Sequence, residues 1–438
     1  MKKRIILFWS AVLILVSIRG ALIYHFGLNP DTTYAVSALL LVCFGLISFK
    51  NILYNPVDKS LEKLKNAVII NFYLLSFYFI TVSIFQGTIT IGVVYEFAIF
   101  PIIFTIIRYN KFILEGIVHL IAIITAFGVF LIFLIGQTKG YYELIHVIQI
   151  FRGEVGTVSR IGKFLLPFGY QGSNHDAANI LAMCSIFYLY KVINIHGFNR
   201  LIYIVMFSVL FFIVLLTGSA SNIVIMIAFI GVMIMISANT LPRKIAVISC
   251  ITLASFLILH YYVNVVDLLY FTNKFISQDK LAGGGILNSL DAKSIFFSSF
   301  SILFGFGYLL EVPLIHSEVA FIKLLVGFGF FPFLILMFVI FSPIYYIYIF
   351  KKASIEQSKK NPDFQSSSSS KDISRDSRVH LRQLIFLAMP VLCGAITLVH
   401  YGSLFRVTSI GLFCVFMALF FKDYIIFSSN LQDESLIM

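Results

Sequence analysis

Charge is what this chain has little of. Asp, Glu, Lys and Arg make up 12% of its 438 residues, where a water-soluble protein carries about 25%. Hydrophobic residues reach 60% and the mean hydropathy is +0.97. Together these values exclude a soluble globular protein and put the bulk of the chain in lipid. Cysteine is sparse as well. Cys43, Cys184, Cys250, Cys393 and Cys414 all fall inside apolar runs, and an odd number so placed gives neither a disulfide framework nor metal-ligand spacing. No P-loop, zinc-spacing motif or nucleophile elbow occurs. Gly305 and Gly307 form a Gly-x-Gly that lacks the third glycine of a dinucleotide fingerprint. There is no internal repeat of the sort a duplicated transporter fold leaves.

What the chain does have is apolar runs of about 18–22 residues, each long enough to cross a bilayer as helix. Twelve spans are expected, near 5–24, 34–49, 67–87, 90–108, 112–135, 175–192, 201–217, 221–238, 244–263, 330–350, 383–402 and 405–421. The opening MKKRIILFWSAVLILVSIRG has a basic start but no small-residue cleavage site, so it reads as a first span rather than a removed signal. The expected fold is an all-α polytopic membrane protein, a single integral membrane domain over 1–438.

The net charge of +12 records orientation rather than a nucleic-acid footprint. With the N-terminus inside, 22 of the 32 basic residues fall at cytoplasmic ends of spans, eight of them between Lys351 and Arg382. The opposite side holds seven: Lys139, Arg152, Arg160, Lys163, Lys274, Lys280 and Lys293. That is the positive-inside asymmetry, and it puts both termini in the cytoplasm. The stretch 294–310 is apolar, but taking it as an added span would turn the Lys351–Arg382 segment outward. It reads instead as an amphipathic or re-entrant element.

Two long connections are then expected on the outer side, 136–174 and 264–317, the second reaching 329 with a re-entrant helix. Long connections in compact proteins usually carry function. The cytoplasmic segment 351–382 is polar, serine-rich and without periodicity, and reads as a disordered tether. The first outer connection offers Arg152, Arg160 and Lys163, then Asn174-His175-Asp176 at the mouth of the sixth span. Guanidinium groups hold phosphate bidentately and stay charged at working pH. A lipid-linked phosphate therefore suits this loop, with contact to anionic headgroups as the structural alternative. The second connection ends in EVPLIHSEVAFIKLLVGFGFF (311–331). The apolar run that starts at Val319 and continues to Phe350 is too long for one straight crossing and too short for two. Val319–Val326 are expected to form a short dipping helix, broken at Gly327-Phe328-Gly329, with His316 at the water–lipid boundary and Glu318 and Lys323 beside it. An imidazole there is suited to act as a base or a donor near neutral pH. Arg19, Glu96, Glu115, His119 and Arg406 are costly in or near lipid and are default functional candidates. Glu115 and His119 share a helix face and are expected to pair.

These motifs, in this order, resemble the superfamily of bacterial O-antigen polymerases and ligases, the polymerase branch most closely. The likeness rests on Arg160 followed by GSNHDAANILA, on LLTGSASN (215–222), and on GFGYLLEVPLIHSEVAFIKLLVGFG, and it covers about 150–350. Ligases often carry an arginine after the Thr-Gly-Ser turn, where this chain has Ala220; Ser317 follows the family's histidine where Asn is frequent. The resemblance implies a GT-C-like fold in the bacterial inner membrane with a periplasmic active site. It implies a glycosyltransferase that moves a growing glycan from undecaprenyl diphosphate onto the next lipid-linked repeat unit. His316, Glu318 and Arg160 would be catalytic. Arg152, Lys163, Asn174, His175, Ser219, Lys323 and Arg406 would bind the diphosphate or substrate. No cofactor, metal or nucleotide sugar is implied. The partners would be the lipid-linked oligosaccharide, membrane lipids, and a chain-length regulator and flippase of the same assembly, with no nucleic acid. A ligase is the nearest alternative; a flippase or other transporter of lipid-linked oligosaccharide is the alternative from another class.

Overall fold

A computed structural model describes residues 3–86, 99–152, 160–161, 164–165, 167–171, 173–237, 324–325, 329–360, 368–397 and 407–436. The described chain is almost entirely helical. In order, the helices are α1 (Lys3–Ser17), α2 (Arg19–Phe26), α3 (Pro30–Tyr54), α4 (Glu62–Gln86), α5 (Ile102–Ile106), α6 (Lys111–Lys139) and α7 (Tyr141–Arg152). After a short β-pair come α8 (Asn174–Asn194), α9 (Phe198–Leu216), α10 (Ala220–Ser237), α11 (Phe330–Lys360), α12 (Ser368–Ile396) and α13 (Val407–Leu436).

Among the described residues, seven helices are long and apolar enough to cross a membrane: α3, α6, α8, α9, α11, α12 and α13. The chain is thus an all-α polytopic membrane protein. The expected ninth span, 244–263, lies outside the described residues. The expected first span, 5–24, is not one straight helix: α1 and α2 meet at an angle of 68°. The cause is a close approach at Gly20, where a Cβ would stand 1.5 Å from the backbone oxygen of Tyr170. Only glycine lets the chain turn there and lay α2 on the 3₁₀ turn Gly169–Gln171. The expected fourth span, 90–108, is described from Ile99, and there the chain turns through Pro101 before α5. Proline supplies no backbone N–H, so it suits the position just before a helix, where no helical bond is lost.

Local chemistry sets several boundaries. The Asn29 side chain accepts from the N–H groups of Asp31 and Thr32, with Pro30 in the first turn of α3. Asn110 caps α6 in the same way through Phe112 N–H. In the segment expected as a disordered tether, helix propagates from the flanking spans, α11 to Lys360 and α12 from Ser368. Adding residues to an existing helix costs no new nucleus.

Polarity is sorted inside out relative to a water-soluble fold. α8 has the lowest mean hydropathy of the spans, 1.3, and 89% of its core window is buried. α9 has a mean hydropathy of 2.3 and only 28% buried. Lipid solvates apolar surface, so polar side chains are driven into the bundle interior, where they find partners. α8 is accordingly the hub, packed against α9, α10, α12 and α6, and it carries the Asn174-His175-Asp176 cluster.

The first long connection is built rather than loose. In α7, Leu144, Val147, Ile148 and Phe151 are buried at a spacing that gathers them on one helix face, against Ile23 and Ile132. β1 (Arg160–Ile161) and β2 (Phe164–Leu165) pair antiparallel, Arg160 opposite Leu165. Tyr170, 3% exposed, wedges between helices. A Cβ on Gly20 would strike its carbonyl, and one on Gly128 would come within 2.3 Å of its ring.

Candidate functional site

The described part of the site forms where the start of α8 meets the turn between α9 and α10. α9 ends at Leu216, Gly218 takes φ 61°, and α10 begins at Ala220. A positive φ is cheap only without a Cβ, so Gly218 lets the chain reverse within three residues. The turn is tied internally, Thr217 Oγ1 donating to Val214 O (2.7 Å) and accepting from Ser219 N–H (3.3 Å).

Four further bonds tie together this turn, the start of α10 and the start of α8. Asn174 Nδ2 donates to Thr217 O (3.2 Å). His175 Nδ1 lies 2.8 Å from Ser219 Oγ. Asn222 Nδ2 donates to Ser219 Oγ (2.8 Å) and to His175 O (3.2 Å). Asn222 is thus the clamp, holding the hydroxyl and the α8 backbone at once. Ser219 Oγ joins Asn222 Nδ2 and His175 Nδ1 in one hydrogen-bonded group. Ser219 is fully buried, which suits a positioning role and not a nucleophile.

The surroundings are polar and dry. Asp176, 7% exposed, stands in the first turn of α8, where the helix dipole favours a carboxylate. Asn179 lies four residues after His175 and is fully buried. Both of its amide atoms, and Asn222 Oδ1, have no hydrogen-bond partner among the described residues. Buried amides are nearly always satisfied, and these three atoms are exceptions to that rule among the described residues. Next to the start of α8, His25 Nε2 lies 2.6 Å from Tyr170 Oη, and Gln171 Nε2 donates to Thr125 Oγ1 (3.2 Å). Burial raises the Tyr170 hydroxyl pKa above its ordinary value, with Tyr24 adding to the effect. The connection holding Arg152 and Arg160 is therefore anchored beside the same end of α8.

Of the ten residues singled out from the sequence, Asn174, His175 and Ser219 are brought together. Arg152 ends α7 and Arg160 opens β1. Lys163, His316, Glu318, Lys323 and Arg406 lie outside the described residues, as does Glu96. Arg19 lies over the Tyr34 ring, 5.0 Å from its centroid.

A second polar group occupies the opposite end of the bundle. Glu115 pairs with Lys191 (2.5 Å) and His119 Nδ1 lies 2.6 Å from Tyr188 Oη. The expected Glu115–His119 pairing is thus replaced, because α8 offers each residue a nearer partner. Lys111 pairs with Asp423 at 2.7 Å. Lys191, one of the 22 basic residues that the charge asymmetry places at cytoplasmic span ends, is only 8% exposed. The signal for it was Glu115, a deep acid needing a cation. Asn222 was also legible, a polar residue in the first turn of α10, three residues after Ser219.

Among the described residues no group of His, Cys, Asp and Glu is arranged to hold a metal ion. The sequence matches no protein-family model and no curated protein.

Proposed function

We propose that the chain is a polymerase of lipid-linked oligosaccharide repeat units. It transfers a growing glycan from undecaprenyl diphosphate to a sugar hydroxyl of the next lipid-linked unit, at the periplasmic face of the inner membrane. The observation that carries the reading is the bonding of Asn174 and His175 to the Thr217–Ser219 turn. Two motifs of the resemblance, more than forty residues apart, meet at the end of the most buried span.

The reaction breaks the bond between the anomeric carbon and the diphosphate oxygen and forms one to the acceptor oxygen. The acceptor proton passes to His316, oriented by Glu318. The departing diphosphate carries the developing charge, and Arg160, assisted by Arg152 and Lys163, stabilises it. His175, held beside the Ser219 turn, adds a polar contact to the same anion. Lys323 and Arg406 supply further positive charge. Because the donor already bears its leaving group, neither a metal nor a nucleotide is required.

A transporter of the same substrate is the second reading, favoured by the buried ion pairs of Glu115 and Asp423. The test is the purified chain in liposomes with undecaprenyl-diphosphate-linked repeat units, products read by mass spectrometry. Elongated glycans, reduced about tenfold or more by His175→Ala, are expected. Transfer of the unit across the bilayer with no elongation would replace the polymerase reading with the transporter.

A further inference from the structure

At the end of the bundle that holds Lys111, far along the spans from the Ser219 turn, a cavity of about 270 Å³ opens between the α3–α4 connection, the turn after α5, and α13. Its walls are apolar, among them Val57, Leu61 and Phe104, and its polar groups are Asp58, Arg108 and Lys422. The two cations have only neutral partners. Arg108 Nη2 donates to Pro56 O (3.4 Å) and Lys422 Nζ to Ile107 O (3.3 Å). Neither forms an ion pair among the described residues, and the adjacent Asp423 is taken by Lys111. Asp58 accepts from Ser60 N–H at 2.9 Å.

Depth is indicated by aromatics. Tyr54, two residues before Pro56, is 78% exposed, and Phe112, four after Arg108, is 83% exposed. Large exposed aromatic rings at helix ends mark the headgroup region. An apolar-walled cavity with two uncompensated cations at that depth has one fitting occupant.

We propose that this cavity binds one anionic phospholipid with a hydroxyl-bearing headgroup. Its phosphodiester lies against Arg108 and Lys422, its headgroup hydroxyls donate to Asp58, and its acyl chains leave along Ile425 and Ile426. The charges support this choice. Two cations and one carboxylate leave a single positive charge, which a phosphodiester neutralises; an ethanolamine headgroup would restore it. Basic pockets between spans are established places for acidic lipid headgroups. The inference is independent of the proposed glycan chemistry.

The full chain, purified in detergent, is incubated with equimolar phosphatidylglycerol and phosphatidylcholine, and retained lipid is read by native mass spectrometry. The wild type should retain phosphatidylglycerol preferentially. Arg108→Ala with Lys422→Ala should lower that preference about tenfold or more, as loss of charge-assisted phosphate bonds requires. Lys422→Gln alone should lower it partly, and keeps the test open if the double variant unfolds. Soluble glycerol phosphate in excess should leave the lipid in place. Equal retention of the two lipids, unchanged preference in the variants, or displacement by soluble glycerol phosphate would each overturn the proposal.

Discussion

At the scale of single residues, the fold depends on contacts that leave no volume to spare. Gly20 and Gly128 both face Tyr170, one against its carbonyl and one against its ring. Gly128→Ala should lower the unfolding temperature in detergent, with a cost of about 1–3 kcal/mol for overpacking. Gly20→Ala should cost more, because the obstructing atom is backbone and cannot rotate away. Equal, negligible effects in a thermal scan would mean that Tyr170 is not seated between α2 and α6. Asn222→Ala tests the clamp. It strips a donor from Ser219 Oγ and from His175 O and should cost about 1–3 kcal/mol, while Asn222→Asp, which keeps the shape but cannot donate, should lose glycan elongation as fully. Elongation retained at wild-type rate by either variant, at equal folded protein, would separate this clamp from the site. The contacts of Tyr170 were not readable in advance. Gly20, Gly128 and Tyr170 are remote in sequence, and glycines in apolar runs have many causes. Ser219 and His175 were readable, because each is a polar residue at a helix end.

At the scale of elements, most spans were visible as apolar runs, and α3, α6, α8, α9, α11, α12 and α13 coincide with expected ones to within a few residues at most ends. The exceptions have physical causes. The 68° bend between α1 and α2 follows from packing against a turn some 150 residues away, which hydropathy does not register. α7 was read as loop because its apolar positions, at every third or fourth residue, cover only one face. α6, α8 and α13 are joined by the pairs Glu115–Lys191 and Lys111–Asp423. Breaking one side leaves a buried charge alone: Glu115→Gln or Lys191→Met should destabilise by about 3–5 kcal/mol. The double substitution should recover most of that loss, since an uncharged pair of similar volume avoids both ionic desolvation penalties. A double-mutant cycle of unfolding free energies measures this. Simple additivity would show that the pair contributes no coupling.

At the scale of the whole molecule, the orientation rests on charge asymmetry and is open to direct test. In a cysteine-free background, a cysteine at Tyr142 should react with a membrane-impermeant maleimide added to intact cells, and one at Asn55 should react only after the membrane is opened. The reverse pattern would invert the molecule and move the Ser219 turn to the cytoplasm. The aromatic residues are consistent with a chain embedded between two interfaces, Tyr54 and Phe112 exposed at one end and Phe26 and Tyr142 at the other. The polymerase reading joins these scales: a buried polar span, a turn clamped to its mouth, and a structured connection bearing arginines beside it. Its most direct test is the surface glycan of a deletion strain complemented with the wild-type chain or with His316→Ala, both at equal membrane expression. The account predicts a ladder of repeat units with the wild type, and with the variant a single repeat unit only. A full ladder from His316→Ala, or loss of even the first repeat in the deletion strain, would contradict it.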